Sequence, residues 1–210
     1  MESIIDIYKT IATELFVGKE EISKVLPLIK EFIYDIGPKL PADVFHNPKP
    51  GVWIARNAIV ADNACINAPC IIDEDSEIRH CAFIRGSAII GKHCVVGNST
   101  EIKNSILFDG VQVPHFNYVG DSVLGYKAHF GAGVITANVR SDKAPVCEGF
   151  RKLGAIVGDF AEIGSNSVLC PGSIVGKDSI VYPLSVVRGT VPNCSIYKAK
   201  DNIVRRIING

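Results

Sequence analysis

Residues 54–112 read IARNAIVADNACINAPCIIDEDSEIRHCAFIRGSAIIGKHCVVGNSTEIKNSILFDGVQ, with an apolar residue at every sixth place. These are Ile54, Val60, Ile66, Ile72, Ile78, Ile84, Ile90, Val96, Ile102 and Phe108. Four places after each stand Ala58, Ala64, Cys70, Ser76, Ala82, Ala88, Cys94, Thr100, Ile106 and Gln112, eight of them small. A helix repeats every 3.6 residues and a half-buried strand every 2, so neither calls for a strict six. A sustained hexad is the pattern of a parallel β-helix. Each hexad predicts one short strand and one corner, and three hexads close one coil of a triangular prism. The large residue points inward and stacks on its equivalent one coil later, each burial contributing roughly 1.5–3 kcal/mol before chain entropy is counted. The small residue fits where the chain turns.

The rhythm returns at Val157, Ile163, Leu169, Val175, Val181 and Val187. It slips between Val113 and Leu124, and it is absent from 140–155, where RSDKAPVCEGFRKLGA must leave the prism as a loop. Long excursions from a regular scaffold are often functional. The stretch 1–40 has helical spacing instead. Ile4, Ile5, Ile7, Tyr8, Ile11, Leu15 and Phe16 share one face, and Ile22, Val25, Leu26, Ile29, Phe32, Ile33 and Ile36 share another. Gly18 separates the two and Gly37-Pro38 ends the second. The expected organisation is a helical pair over 1–40, which reads as a cap on one open end of the coil stack. A linker follows over 41–53. The β-helix spans 54–192, and an amphipathic C-terminal arm or helix 193–210. The fold class is mainly β.

Twenty-two basic and 22 acidic residues cancel, which points away from nucleic acid and acidic membranes as partners. The first residues lack the basic start and cleavage site of a secretory signal, and no apolar run reaches spanning length. Seven cysteines without a CxxC fit a reduced, cytoplasmic protein. His80, His93, His115 and His129 fall in or near the coils, but their spacing gives no metal-ligand pattern.

Chemistry concentrates where the rhythm breaks. His115, just past an expected inward position, is a candidate base, since imidazole accepts a proton near neutrality. Arg85 and Lys103 each follow an inward isoleucine and are eighteen residues apart, so they stack on one face in successive coils. Two stacked cations suit a phosphate; the other reading is two solvated charges offset by Glu101. GAGV, residues 131–134, offers backbone that a carbonyl can approach closely, with an N–H for an oxyanion.

The runs FIRGSAII, GNSTEIKNS, PHFNYVGDSVLG, HFGAGVITANVR and IVGDFAEIGSNSVLCPGSIVG together resemble hexapeptide-repeat acyltransferases. They are similar to the acetyltransferase domain of the bifunctional glucosamine-1-phosphate acetyltransferase/N-acetylglucosamine-1-phosphate uridylyltransferase. They look closer still to the β-helix half of archaeal and clostridial-type sugar-1-phosphate nucleotidylyltransferase relatives. The resemblance covers about residues 54–190. It implies a left-handed parallel β-helix that forms a homotrimer with active sites between subunits, using acetyl-CoA as co-substrate and no metal. It implies His115 as general base, Arg85 and Lys103 on the sugar phosphate, Tyr118 on the sugar or its phosphate, and Asn138 lining the sugar and acetyl-CoA site. Ala132 would offer its backbone near the thioester, and Ser165 would contact the cofactor. His129 stands where the family has a substrate-contacting asparagine. Lys143 lies one residue from a family lysine. The family's C-terminal arm brings a cation to a neighbour's cofactor, a part that Lys198 or Lys200 could serve.

The expected function is acetyl-CoA-dependent acylation of the amino group of an amino sugar or sugar phosphate, glucosamine-1-phosphate-like. No uridylyltransferase domain is expected, because residues 1–53 hold no Gly-rich nucleotide loop. Two alternatives stay open. One is a non-catalytic sugar-phosphate or nucleotide-sugar binding or scaffold subunit associated with a nucleotidyltransferase; the other is transfer to a hydroxyl. The enzyme reading needs Arg85, Lys103 and His115 in one pocket shared by adjoining protomers.

Overall fold

The computed structural model describes residues 4–207. Its strands form three parallel sheets, visited in strict rotation, that are the sides of a prism. The first sheet runs from Val52–Ala55 to Thr190–Val191, the second from Ile59–Val60 to Ser195–Ala199, and the third from Cys65–Ile66 to Val186–Val187. Each strand of the coils pairs in parallel with its equivalents one coil away. The fold is the expected mainly-β parallel β-helix with a short helical N-terminal segment.

The inward residues Ile72, Ile78, Ile84, Ile90, Val96 and Ile102 are fully buried, as are the small partners Cys70, Ser76, Ala88, Cys94 and Thr100. Burial pushes the Cys70 thiol up to about 12 and raises that of Cys94 as well, so both act as compact apolar groups.

The phase slip resolves into two single-residue deletions at one corner. Leu107, not Phe108, pairs with Ile90, and Leu124 pairs with Leu107. The intervals Ile102–Leu107 and Val119–Leu124 are therefore five residues, and both shortened turns join the third sheet to the first. The excursion after Ile135–Thr136 leaves from that same corner. Phe108 is displaced outward, where Phe16 packs edge-on against it at 5.2 Å.

The N-terminal segment does not cap an end. Outward-facing Ile71, Ile89, Ile106 and Val123 of the first sheet are fully buried, so this side of the prism is apolar inside and out. The segment covers that stripe and crosses the coils in reverse order. Ile4 C=O accepts the Asp159 N–H (2.9 Å) and Lys9 C=O the Asp109 N–H (2.9 Å). Further along, Ile29–Ile36 lies on Ala88–Ile90. Gly37 then rests against Trp53, where a Cβ would come within 2.5 Å of the indole.

Among the described residues, helix is confined to Thr13–Phe16 and Ile29–Ile36, with 3₁₀ turns at Ile22–Leu28 and Gly37–Lys39. Pro27, inside the apolar-periodic stretch, cannot supply the N–H a longer helix needs. The 41–53 stretch contributes Phe45–Lys49, antiparallel to Val52–Ala55, which closes one open edge of the first sheet. The C-terminal stretch is a hairpin, Ser195–Ala199 with Asn202–Arg205, rather than a helix. It closes an edge of the second sheet, and its last three positions, 208–210, lie outside the described residues.

Candidate active site

The third sheet carries the candidate residues on its two flanking corners. At the corner where the second sheet turns into the third, one column of hydrogen bonds stacks successive coils. The Phe116 N–H donates to Asn98 C=O (2.9 Å), Gly133 to His115 (3.0 Å), Asn166 to Ala132 (2.8 Å) and Leu184 to Ser165 (2.9 Å). His115, Ala132 and Ser165 thus occupy equivalent places in three consecutive coils. The His115 ring is exposed, makes no hydrogen bond to the described chain, and lies 6.5 Å from the Phe116 ring. Phe116 is 61% exposed with φ +53°, a conformation that bulky residues rarely adopt. Among the described residues none accepts the Ala132 N–H, so that donor is open to a ligand.

The corner where the third sheet turns into the first is built from side chains. Asp121, 4% exposed, is its hub. Its carboxylate accepts Lys103 Nζ through both oxygens (2.9 and 2.8 Å), Asn104 Nδ2 (2.8 Å) and Asn138 Nδ2. Asn138 Nδ2 also donates to Tyr118 Oη (3.2 Å). Burial raises the Tyr118 phenol above its ordinary value, the Asn138 bond opposing it, so the hydroxyl keeps a proton to donate. One coil earlier Arg85 pairs with Glu101 at 2.8 Å on the surface. Both cations therefore have carboxylate partners.

Register fixes how the two corners relate. His115 pairs with Asn98 and Lys103 with Gly120, so His115 and the Lys103 level are five residues apart along one coil. At the strand rise that is about 15 Å across the third sheet, shortened by the reach of the lysine and arginine side chains. Arg85, Lys103, Tyr118 and Asn138 are gathered at one edge, and His115, Ala132 and Ser165 at the other.

Three candidates lie elsewhere. His129 faces outward from the second sheet, its Nδ1 2.7 Å from Glu162 Oε2, in a groove of about 450 Å³ that also includes His93, Gln112 and Lys127. Lys198 is exposed on the second sheet, following inward Tyr197, two coils beyond Ser165. Lys143 is in the excursion, at φ +64°. No three His, Cys, Asp or Glu cluster as metal ligands among the described residues.

Sequence reasoning missed Asp121, Asn104 and Asn117. The signal for the first two was the shortened period, since each is the single residue left in a turn that holds two, Gly86-Ser87, in the coil before Asn104. Asn117 was legible as a polar residue on an inward column.

The profile of the GMPPB C-terminal domain matches residues 66–205. The chain is 34% identical over 194 residues to the bifunctional protein GlmU of Methanococcus vannielii, covering 86% of this chain and 46% of that protein. It is 34% identical over 166 residues to the bifunctional sugar-1-phosphate nucleotidylyltransferase/acetyltransferase of Sulfurisphaera tokodaii, covering 66% and 41%. In both cases it spans less than half the relative's length. Among solved structures it superposes on the acetyltransferase domain of PglB from Neisseria gonorrhoeae, in complex with acetyl coenzyme A. That match has a TM-score of 0.37 and 15% identity, over 75% of this chain and 58% of that one.

Proposed function

The chain belongs to the GMPPB C-terminal domain family, and on that premise we propose that it is an acyltransferase that moves the acetyl group of acetyl-CoA to the amino group of an amino sugar or sugar phosphate, glucosamine-1-phosphate-like. The observation that carries this reading is the column of His115, Ala132 and Ser165 facing the Lys103–Tyr118–Asn138 group across one sheet.

A thioester is already activated, so the reaction needs proximity, one base and one oxyanion donor. The sugar amine attacks the thioester carbonyl carbon and the N–C bond forms. The His115 ring, which makes no hydrogen bond among the described residues, takes the amine proton. The open Ala132 N–H stabilises the oxyanion, and collapse breaks the C–S bond and releases the CoA thiolate, which takes up a proton. Ser165, one coil beyond Ala132, and Lys198 beyond it would bind the cofactor. Tyr118 and Asn138 hold the sugar, and Lys103 and Arg85 hold its phosphate in competition with Asp121 and Glu101.

His129 looks out from the second sheet, so it reaches a third-sheet substrate only from another copy. That favours a homotrimer in which neighbours complete each other's sites. The free thiols accord with a cytoplasmic setting. Among the described residues no helix is long and apolar enough to cross a membrane.

Purified protein mixed with acetyl-CoA and a panel of amino-sugar phosphates should release free thiol. His115→Ala should lower kcat by about 10²–10⁴-fold while the unfolding midpoint stays put. Saturable sugar-phosphate binding without thiol release would replace this reading with the non-catalytic one.

A further inference from the structure

The inward column at the turn into the third sheet reads Ala64, Ala82, Thr100, Asn117, Val134, Ser167 and Ser185 along the stack. Asn117 is the one amide in a column of small or apolar residues, and it is only 2% exposed. Burying an amide costs free energy unless its hydrogen bonds are made, and here they are made in one direction. Asn117 Oδ1 accepts the His115 N–H (3.1 Å). Its Nδ2 donates to Gly131 C=O (2.9 Å) and more weakly to Val134 C=O (3.4 Å). From the coil below, Thr100 Oγ1 accepts the Asn117 N–H (3.2 Å) and donates to Val113 C=O (3.1 Å).

The circuit closes on the outside, where the His115 C=O accepts the Gly133 N–H (3.0 Å). Both backbone groups of His115 are thus tied to the Gly131–Val134 turn, one directly and one through a buried side chain. That turn carries the open Ala132 N–H. The ladder fixes coil spacing along the sheets, and this corner is where precision matters if a base and an oxyanion donor must serve one tetrahedral centre.

We propose that Asn117 is a positioning residue that sets the distance and angle between the His115 backbone and the Gly131–Val134 turn, so that base and oxyanion donor are held in register without contact between them. The catalytic part rests on the acetyl-transfer reading above; the clamp itself does not. A small residue at this place, as in the other coils, would still fold but would release the His115 N–H.

Two variants test it, Asn117→Ser and Asn117→Thr, each matching residues the column already holds, so that failure of one to fold leaves the other. The expected result is a fall in kcat of about 10- to 100-fold with KM for acetyl-CoA within about twofold, because misplacement by an ångström costs the chemical step rather than remote binding. The pH–rate profile should keep its shape, since His115 remains the base. Hydrogen exchange at the His115 and Gly133 amides should quicken at least about tenfold, with amides two or more coils away unchanged. A kcat equal to wild type in a variant whose His115 amide exchanges faster would overturn the catalytic part and leave Asn117 a packing residue. Unchanged exchange at His115 would overturn the clamp outright. If the wild-type protein itself transfers no acetyl group, the acetyl-transfer reading falls and exchange alone decides the clamp by the same criterion.

Discussion

The two corners that flank the third sheet are built by opposite means. The His115 corner keeps the repeat intact: each coil contributes one residue at the same phase, and the ladder itself aligns His115, Ala132 and Ser165. The Lys103 corner breaks the repeat three times in succession, by losing one residue, then another, then inserting the excursion. The regular corner delivers backbone groups at fixed spacing and leaves its imidazole unbound. The irregular corner gathers side chains that satisfy one another around a buried carboxylate. Rigid spacing suits the reacting atoms, and a network of exchangeable partners suits recognition, where a ligand's charges displace those of the protein.

This difference is sharpest in what each corner should lose on mutation. Asp121 has both oxygens occupied by three side-chain donors, and it holds φ +50°, which Asp and Asn tolerate and Ala does not. Asp121→Ala should lower stability by about 2–4 kcal/mol, strand the donors of Asn104 and Asn138, and free Lys103 toward solvent. Asp121→Asn, which keeps the backbone preference, should lose roughly half as much. Urea unfolding of both variants beside His115→Ala measures the contrast. A loss in His115→Ala as large as that in Asp121→Ala would erase the distinction between the corners.

The regular parts of the molecule were legible because burial imposes the hexad directly: Ile72, Ile78 and Ile84 repeat since each must meet its equivalent one coil on. His115, Ala132 and Ser165 share a phase only through the register, because a deletion and the excursion separate them along the chain, and the resemblance to acyltransferases, not the spacing, assigned their roles. What escaped were places where another element overrides the period. Phe108 fits the hexad yet faces outward, because a one-residue deletion gave its place to Leu107 and Phe16 was there to cover it. The N-terminal residues read as helices over an end, since nothing local reveals that Ile71, Ile89 and Ile106 make the outside of the first sheet apolar as well. Asp121 was hidden for a third reason: its partners come from the coils on either side of its own.

The third corner, joining the first sheet to the second, supplies a buried carboxylate of another kind. Asp73, 1% exposed, accepts the Glu74 N–H (2.8 Å), while the nearby Lys92 ammonium is bound to Glu74 instead. Burial pushes the Asp73 carboxyl up from 3.8 to about 6. The folded chain thus holds this proton more tightly than the unfolded chain, so the residue's contribution is full below about pH 4 and is lost as pH rises through 6. Burial raises Asp109 and Asp159, under the N-terminal segment, in the same sense. Asp73→Asn should therefore flatten the fall in stability between pH 4 and 6 and gain roughly 1–3 kcal/mol at pH 7. Parallel slopes in wild type and variant would mean that Asp73 titrates as an ordinary carboxylate and that the N–H alone compensates its burial.

The smallest effect is expected from Arg85, and it separates recognition from stability within a single corner. Lys103 and Arg85 are both ion-paired, but the Lys103 partner is buried, whereas Arg85 and Glu101 meet on the surface with the guanidinium about half exposed. Exposed pairs of this kind add little to folding, because two long side chains must be ordered in water that already solvates them. Arg85→Ala should leave the urea midpoint unchanged. If Arg85 reads a phosphate, the same variant should raise KM for a phosphorylated amino sugar about 3- to 10-fold and leave KM for its unphosphorylated counterpart alone. Equal increases for both acceptors would mean that Arg85 does not read the phosphate. The charge on the acceptor would then have to be met elsewhere, by Lys103 released from Asp121 or by a neighbouring copy.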